Sequence, residues 1–167
     1  HSLDSLDSPD SPDERFCLLT LSVAVKLSLV DLSPVPRDGT ATDAFVNTVE
    51  TAQHAESLGF ERVWVAEHHG RGESLAGTTP EVLLGRLAGA TDSIRLGSGA
   101  VLLNHYSPYK VAEVFATLDA LAPGRIDAGL GRANGSPAVD RALQTSRRVQ
   151  DPNEDHTEKR EAVVSHL

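Results

Sequence analysis

The chain has 167 residues, with 24 acidic against 15 basic side chains and a formal charge of −9. That balance argues against a nucleic-acid binder, which needs a basic face, and the single cysteine, Cys17, rules out an intramolecular disulfide and a cysteine-based metal site. An apolar content of 40% with 13 glycines is that of a globular protein, and no internal apolar run reaches the roughly 18 residues that span a bilayer. Lys26, Lys110 and Lys159 are the only lysines. An acidic, lysine-poor surface suits a salt-rich cytoplasm and equally an ordinary acidic enzyme; a reducing, cytoplasmic setting is the expectation.

The first 14 residues, HSLDSLDSPDSPDE, repeat Asp-Ser-Leu/Pro and hold too little apolar surface to fold. The apolar run from Phe16 to Val30 follows acidic residues, whereas a secretory signal needs a positive start and a small-residue cleavage site. Residues 1–24 are therefore expected to be a disordered acidic tail preceding the natural start, and residues 25–167 to form the domain.

From Lys26 onward, four short β-like runs alternate with helical patterns. They are KLSLVD from Lys26, RVWVAE from Arg62, IRLGSGAVLL from Ile94 and RIDAGLG from Arg125. Phe45, Val49, Ala52 and Leu58 fall near one helix face, and Gly59 stands where a helix C-terminus wants a positive φ. Val111, Val114, Phe115, Leu118 and Leu121 form a second stripe at helical spacing, which Pro123-Gly124 stops. Thr79-Pro80, Ser107-Pro108 and Ser136-Pro137 each place a hydroxyl at the N-cap and proline at the first helical position, so the hydroxyl is expected to accept an orphan N–H. A last helix is expected from about Glu154 to Leu167. Strand–helix alternation at this spacing means a parallel sheet. The pattern alone leaves a doubly wound sheet and a (β/α)8 barrel equally open, and four units are half of a barrel of about 250 residues.

Three segments could carry chemistry. Glu67-His68-His69 ends the second strand run, and sites of parallel α/β folds are built at that end. A histidine there exchanges a proton near neutral pH; two solvated loop histidines are the plain alternative. Adjacent strand residues point to opposite faces, so His68 and His69 are not expected to chelate one metal. Gly97-Ser98-Gly99-Ala100 puts bare backbone inside the third run, which suits a planar ligand, a bulge or a packing bend. Gly129 to Gly135, with Arg132 and Asn134, could hold a phosphate on backbone N–H groups and a guanidinium fork. The same glycines imitate a dinucleotide fingerprint, but that motif follows a first strand, where this chain has LSPVPRDG.

Five runs together resemble one family: LSLVDLSPV (27–35), ESLGFERVWVAEHH (56–69), IRLGSGAVLL (94–103), SPYKVAEVFATLDAL (107–121) and PGRIDAGLGRANG (123–135). Their order and gaps are those of the bacterial luciferase-like flavin-dependent monooxygenases, over roughly Lys26 to Leu143. The resemblance implies a TIM-type (β/α)8 barrel with only its first four βα units present. It implies reduced FMN supplied by a separate reductase, and oxygen acting on a small organic substrate; relatives with a deazaflavin transfer hydride instead. A non-catalytic flavin-binding half barrel is a further reading. By the resemblance, His68 is the base beside the flavin, Glu67 and His69 flank it in orienting roles, and Glu67 counts among the cofactor-binding residues. Ser98, Gly99 and Ala100 support the ring, with a non-proline cis peptide at Gly99-Ala100, and Arg132 contacts the phosphate. Asn104, His105 and Tyr106 depart from the pattern on the substrate side. The full enzyme is expected to be a homodimer. The fragment alone, with two open sheet edges, is expected to be inactive and to dimerise, aggregate or bind flavin poorly.

Overall fold

Strand order separates the two architectures that periodicity leaves open. In a computed structural model, which describes residues 25–132, 137–143 and 161, β1 (Ser28–Asp31), β2 (Arg62–Val65), β3 (Arg95–Ser98) and β5 (Ile126–Asp127) form one parallel sheet in the order β1-β2-β3-β5. Each new strand joins the same edge. A doubly wound sheet instead reverses at a switch point, so the order is that of a barrel wall. The acidic tail, residues 133–136 at the end of the glycine loop and the helix expected from Glu154 lie outside the described residues, apart from Glu161.

Two of the four expected strands are broken in two. The third run splits into β3 and β4 (Val101–Leu102), and the fourth into β5 and β6 (Leu130–Gly131). β4 and β6 pair with each other in a second parallel ladder. The breaks fall at the Gly99–Ala100 cis peptide and at Ala128-Gly129. A buried pin joins them: Ser98 Oγ donates to Gly129 O and accepts from Gly129 N–H, each at 2.9 Å.

Alternation along the strands sorts the two faces. Val63, Val65 and Leu96 are fully buried against α2 (Pro80–Ala88) and α3 (Pro108–Leu121), with Leu84, Leu87, Val111, Phe115 and Leu118. Arg62, Trp64, Arg95, Gly97 and Asp127 alternate with these residues and so turn to the opposite, lumen face. There Asp127 accepts from Arg62 and Arg95, and the Arg62 guanidinium lies 4.9 Å from the centroid of the Trp64 ring. The Trp64 ring takes the space beside Gly97, where a Cβ would meet it at 2.4 Å. The bare backbone at Gly97 thus serves packing.

The helix faces need correction in part. On α1 (Ala41–Ser57) the buried residues are Ala44, Thr48, Ala52 and Ala55, while Phe45 and Leu58 are exposed. Small side chains let the helix lie close on the sheet, which a Phe45 face would prevent. Gly59 has φ +77°, as the sequence predicts. On α3 the stripe holds except at its end, where Leu121 is exposed. Thr79 and Ser107 stand at the N-caps before prolines, but neither hydroxyl makes a capping bond. At Thr79 the backbone (φ −139°, ψ 76°) departs from the extended shape that aims a cap side chain. Among the described residues the full capping box is Thr40 with Asp43 on α1.

Glu56, near the end of α1, fastens the turn before β3. Its carboxylate accepts the N–H groups of Asp92, Ser93 and Ile94 and the Ser93 hydroxyl. Burial works against its charge, yet the backbone donors of Ile94 and Ser93 outweigh it and hold the group below its usual 4.5. Depression of a carboxylate gives stability that is present above the unfolded value and lost as pH falls through the folded one. Glu56→Gln should therefore cost about 1 kcal/mol at pH 7 in chemical denaturation, and the difference from wild type should shrink as pH falls below 4.5.

Candidate functional site

The candidate residues are carried by the loops at the C-terminal end of the sheet, which are fastened to one another. After β1, Ser33 takes a positive φ of 49° while its N–H donates to Asp31. The Thr48 hydroxyl of α1 lies within hydrogen-bond distance of both Asp31 Oδ1 at 3.1 Å and Ser33 Oγ at 3.0 Å. This turn sends the chain against the loop after β2: Ala76 N–H donates to Ser33 O and Val35 N–H to Ser74 O. Across the second loop, His68 N–H donates to Gly77 O at 2.8 Å.

Glu67, at the start of that loop, is buried, with both oxygens in use. Oε2 accepts Leu102 N–H at 2.8 Å, while Oε1 meets the Tyr106 hydroxyl at 2.8 Å and His69 Nε2 at 2.6 Å. Burial, then the Glu67 hydrogen bond, raises the Tyr106 phenol far above its usual value, so it stays a donor. His68 is half-buried, and its Nδ1 is enclosed without a hydrogen-bond partner among the described residues. An orphaned buried ring nitrogen is exceptional in a core and is a mark of functional sites.

The other candidates join through the second ladder. Leu102, which binds Glu67, pairs in register with Gly131, and Arg132 follows directly. Gly99 N–H donates to Val65 O at 2.7 Å, so the Gly99–Ala100 peptide lies beside the end of β2. His68, Gly99, Ala100 and Arg132 are thus carried on adjoining segments at one end of the sheet. Ser98 is fully buried and its hydroxyl is spent on Gly129, so it fixes this region from behind. Asn134 of the glycine loop lies outside the described residues. Among the described residues no cluster of three or more His, Cys, Asp or Glu could hold a metal, and no helix is long and apolar enough to cross a membrane.

Sequence reading assigned no role to Tyr106 or His105. Tyr106 completes the Glu67 site from 39 residues away, and His105 stacks edge-on against His69 at 5.9 Å between ring centroids. The available signal was the Asn104-His105-Tyr106 run itself, polar groups placed directly after a buried strand.

Comparison with known proteins agrees with the fold. The profile of the luciferase-like monooxygenase family matches residues 25–164. The N-acetyl-S-alkylcysteine monooxygenase of Bacillus subtilis (strain 168) is 56% identical over 111 residues, 66% of this chain and 33% of the relative. The crystal structure of apo-MsnO8 superposes with a TM-score of 0.77 at 45% identity, covering 84% of this chain and 42% of that one. The oxygenating constituent of 3,6-diketocamphane monooxygenase from the CAM plasmid of Pseudomonas putida, solved in complex with FMN, shares the fold at TM-score 0.68 and 22% identity, covering 84% of this chain and 38% of that one. The matched regions span about a third to two fifths of these relatives' own lengths. The strand order, the polar loop cluster and these matches lead to one statement: the chain belongs to the luciferase-like monooxygenase family and forms the first βα units of its TIM-type barrel.

Proposed function

We propose that this chain carries the flavin-facing half of a monooxygenase site that uses reduced FMN and molecular oxygen on a small organic substrate. The observation that carries the reading is the meeting of His68, with its orphaned ring nitrogen, the Gly99–Ala100 backbone and Arg132 at one end of a parallel sheet. Family membership and the FMN-bound structural relative support the choice of flavin. The residues fit such a group: bare backbone for a planar ring, a ring nitrogen lacking a partner, and a guanidinium for a phosphate.

When bound, reduced flavin supplies the electrons that activate oxygen. The chain's own residues bind and order. Arg132 holds the phosphate by charge-assisted hydrogen bonds. Gly99 and Ala100 present backbone to the ring, and Ser98 keeps that backbone in place through Gly129. His68 holds or releases a proton beside the flavin. Reduced flavin comes from a separate reductase, and the exposed Phe45, Val46 and Val82 of α1 and α2 offer apolar surface for a homodimer.

The test is oxygen uptake by a complete barrel enzyme that carries this chain as its first half, with reduced FMN and a set of thioethers, including an N-acetyl-S-alkylcysteine as the relative's name suggests. Substrate-dependent uptake is expected, and His68→Gln should lower kcat by about 10²–10⁴-fold, the usual contribution of a positioned acid or base. Hydride transfer with a deazaflavin and no oxygen uptake would overturn the reading.

A further inference from the structure

Glu67 is more tightly specified than a flanking residue needs to be. Its side chain has no exposure, and three groups converge on the carboxylate from three segments: Leu102 N–H, the Tyr106 hydroxyl and His69 Nε2. The first is a backbone donor with no alternative role. The second keeps its proton, because burial and the neighbouring carboxylate both resist its loss. A carboxylate holding two such donors is an acceptor. The short contact to His69, 2.6 Å, is then favourable only if Nε2 carries hydrogen.

That fixes the state of the second nitrogen. With hydrogen on Nε2, Nδ1 of a neutral His69 bears the lone pair. The His69 side chain keeps 14% exposure while Glu67 has none, so the imidazole is the reachable end of the pair. Its other neighbours are His68 in sequence and the His105 ring, which meets it edge-on. His105 is itself 1% exposed in its side chain, with Asp140 of α4 (Pro137–Leu143) 4.0 Å beyond. Burial holds the His105 imidazole below its usual range, so a neutral ring abuts His69. Val139 of the same helix covers Gly70, closing this side of the loop.

We propose that Glu67, itself held by Tyr106 and Leu102, is a positioning residue that locks His69 in the Nε2–H tautomer, leaving Nδ1 as a second proton-accepting atom of this site beside His68. The lock belongs to the folded chain alone; its use in turnover rests on the flavin-site reading above. An oriented carboxylate–histidine pair settles which nitrogen takes a proton, whereas an unpartnered imidazole interchanges its tautomers.

The experiment is long-range ¹H–¹⁵N correlation spectroscopy of the ligand-free, ¹⁵N-histidine-labelled protein at pH 8, with the His69 signals assigned by their loss in His69→Gln. A single tautomer with Nε2 protonated is expected. Glu67→Gln, nearly isosteric, should give a mixture of both tautomers while far-UV circular dichroism stays unchanged. His69 found with Nδ1 protonated in the wild type, or an unchanged tautomer in Glu67→Gln, would overturn the lock, and the wild-type spectrum decides even if the variant does not fold. In the flavin-loaded enzyme, Glu67→Gln and His69→Gln should each lower kcat at least tenfold with KM within twofold. Unchanged kcat in both would overturn the role in turnover, while failure to bind flavin would count against the site reading and leave the tautomer result standing.

Discussion

Gly129→Ala is expected to destroy the fold where β3 meets the β5–β6 segment. A Cβ at this position would sit 1.9 Å from the Ser98 carbonyl oxygen, a backbone atom that cannot rotate away. Relief requires the two segments to part. That breaks both bonds between Ser98 Oγ and Gly129, and the bond from Val101 N–H to Gly129 O. Overpacking costs about 1–3 kcal/mol and sometimes more, and each lost bond adds about 1 kcal/mol. The sum approaches the whole stability of an ordinary domain, about 5–15 kcal/mol. Gly129→Ala should therefore show either no cooperative urea transition or one shifted by several kcal/mol. Gly72→Ala is the control, since a Cβ there meets nothing within 4 Å; it should stay within about 0.5 kcal/mol of wild type. Equal stability of the two variants would contradict the close approach of Gly129 to Ser98.

Asp127→Ala carries the second large effect. Asp127 is the shared acceptor for Arg62 at 2.7 Å and for Arg95 at 2.9 and 2.5 Å, on the lumen face of the sheet. Removing it leaves two guanidinium groups side by side without their shared counter-charge. Breaking a fully buried pair costs about 3–5 kcal/mol; these side chains keep 20–36% exposure, so solvent screening reduces the expected loss to about 2 kcal/mol. Burial works against the Asp127 charge, but the Arg95 and Arg62 hydrogen bonds prevail and hold it below its usual 3.8. The folded value is the lower one, so this stabilisation is complete above 3.8 and fades as pH falls through the folded value. Denaturation of wild type and Asp127→Ala should thus differ most at neutral pH and converge in acid. A gap that widened in acid would contradict the ionic account.

Periodicity reveals strands and helices well here because the two faces of the sheet differ so sharply in chemistry. Val63, Val65 and Leu96 alternate with Arg62, Trp64 and Arg95, and this shows in the sequence. It cannot show that the third and fourth runs break, since Gly99 and Gly129 are needed by partners about 30 residues distant. The face of α1 was misjudged for a similar reason: alanine and Thr48 carry little hydrophobic signal, yet close approach to the sheet selects them over Phe45. Gly97 looks like a ligand platform until Trp64 is seen in its space.

The candidate site was partly legible. Glu67, His68, His69 and Arg132 stand out as polar groups at strand ends. The resemblance implied an orienting role for Glu67, but the donors that hold it, Leu102 and Tyr106, were hidden, being 35 and 39 residues away. Barrel topology, read here from strand order, brings such distant segments together.

The most direct test of the central claim is a titration of oxidised FMN, followed by flavin fluorescence, into a complete barrel that carries this chain as its first half, for wild type and Arg132→Ala in parallel, with the fragment alone beside them. The account predicts saturable binding by the wild-type barrel, weak binding by the fragment alone, and at least a tenfold weaker affinity for the Arg132→Ala barrel, the loss of one charge-assisted phosphate contact. Equal affinity of the two barrels, or binding of a deazaflavin but not FMN, would contradict it.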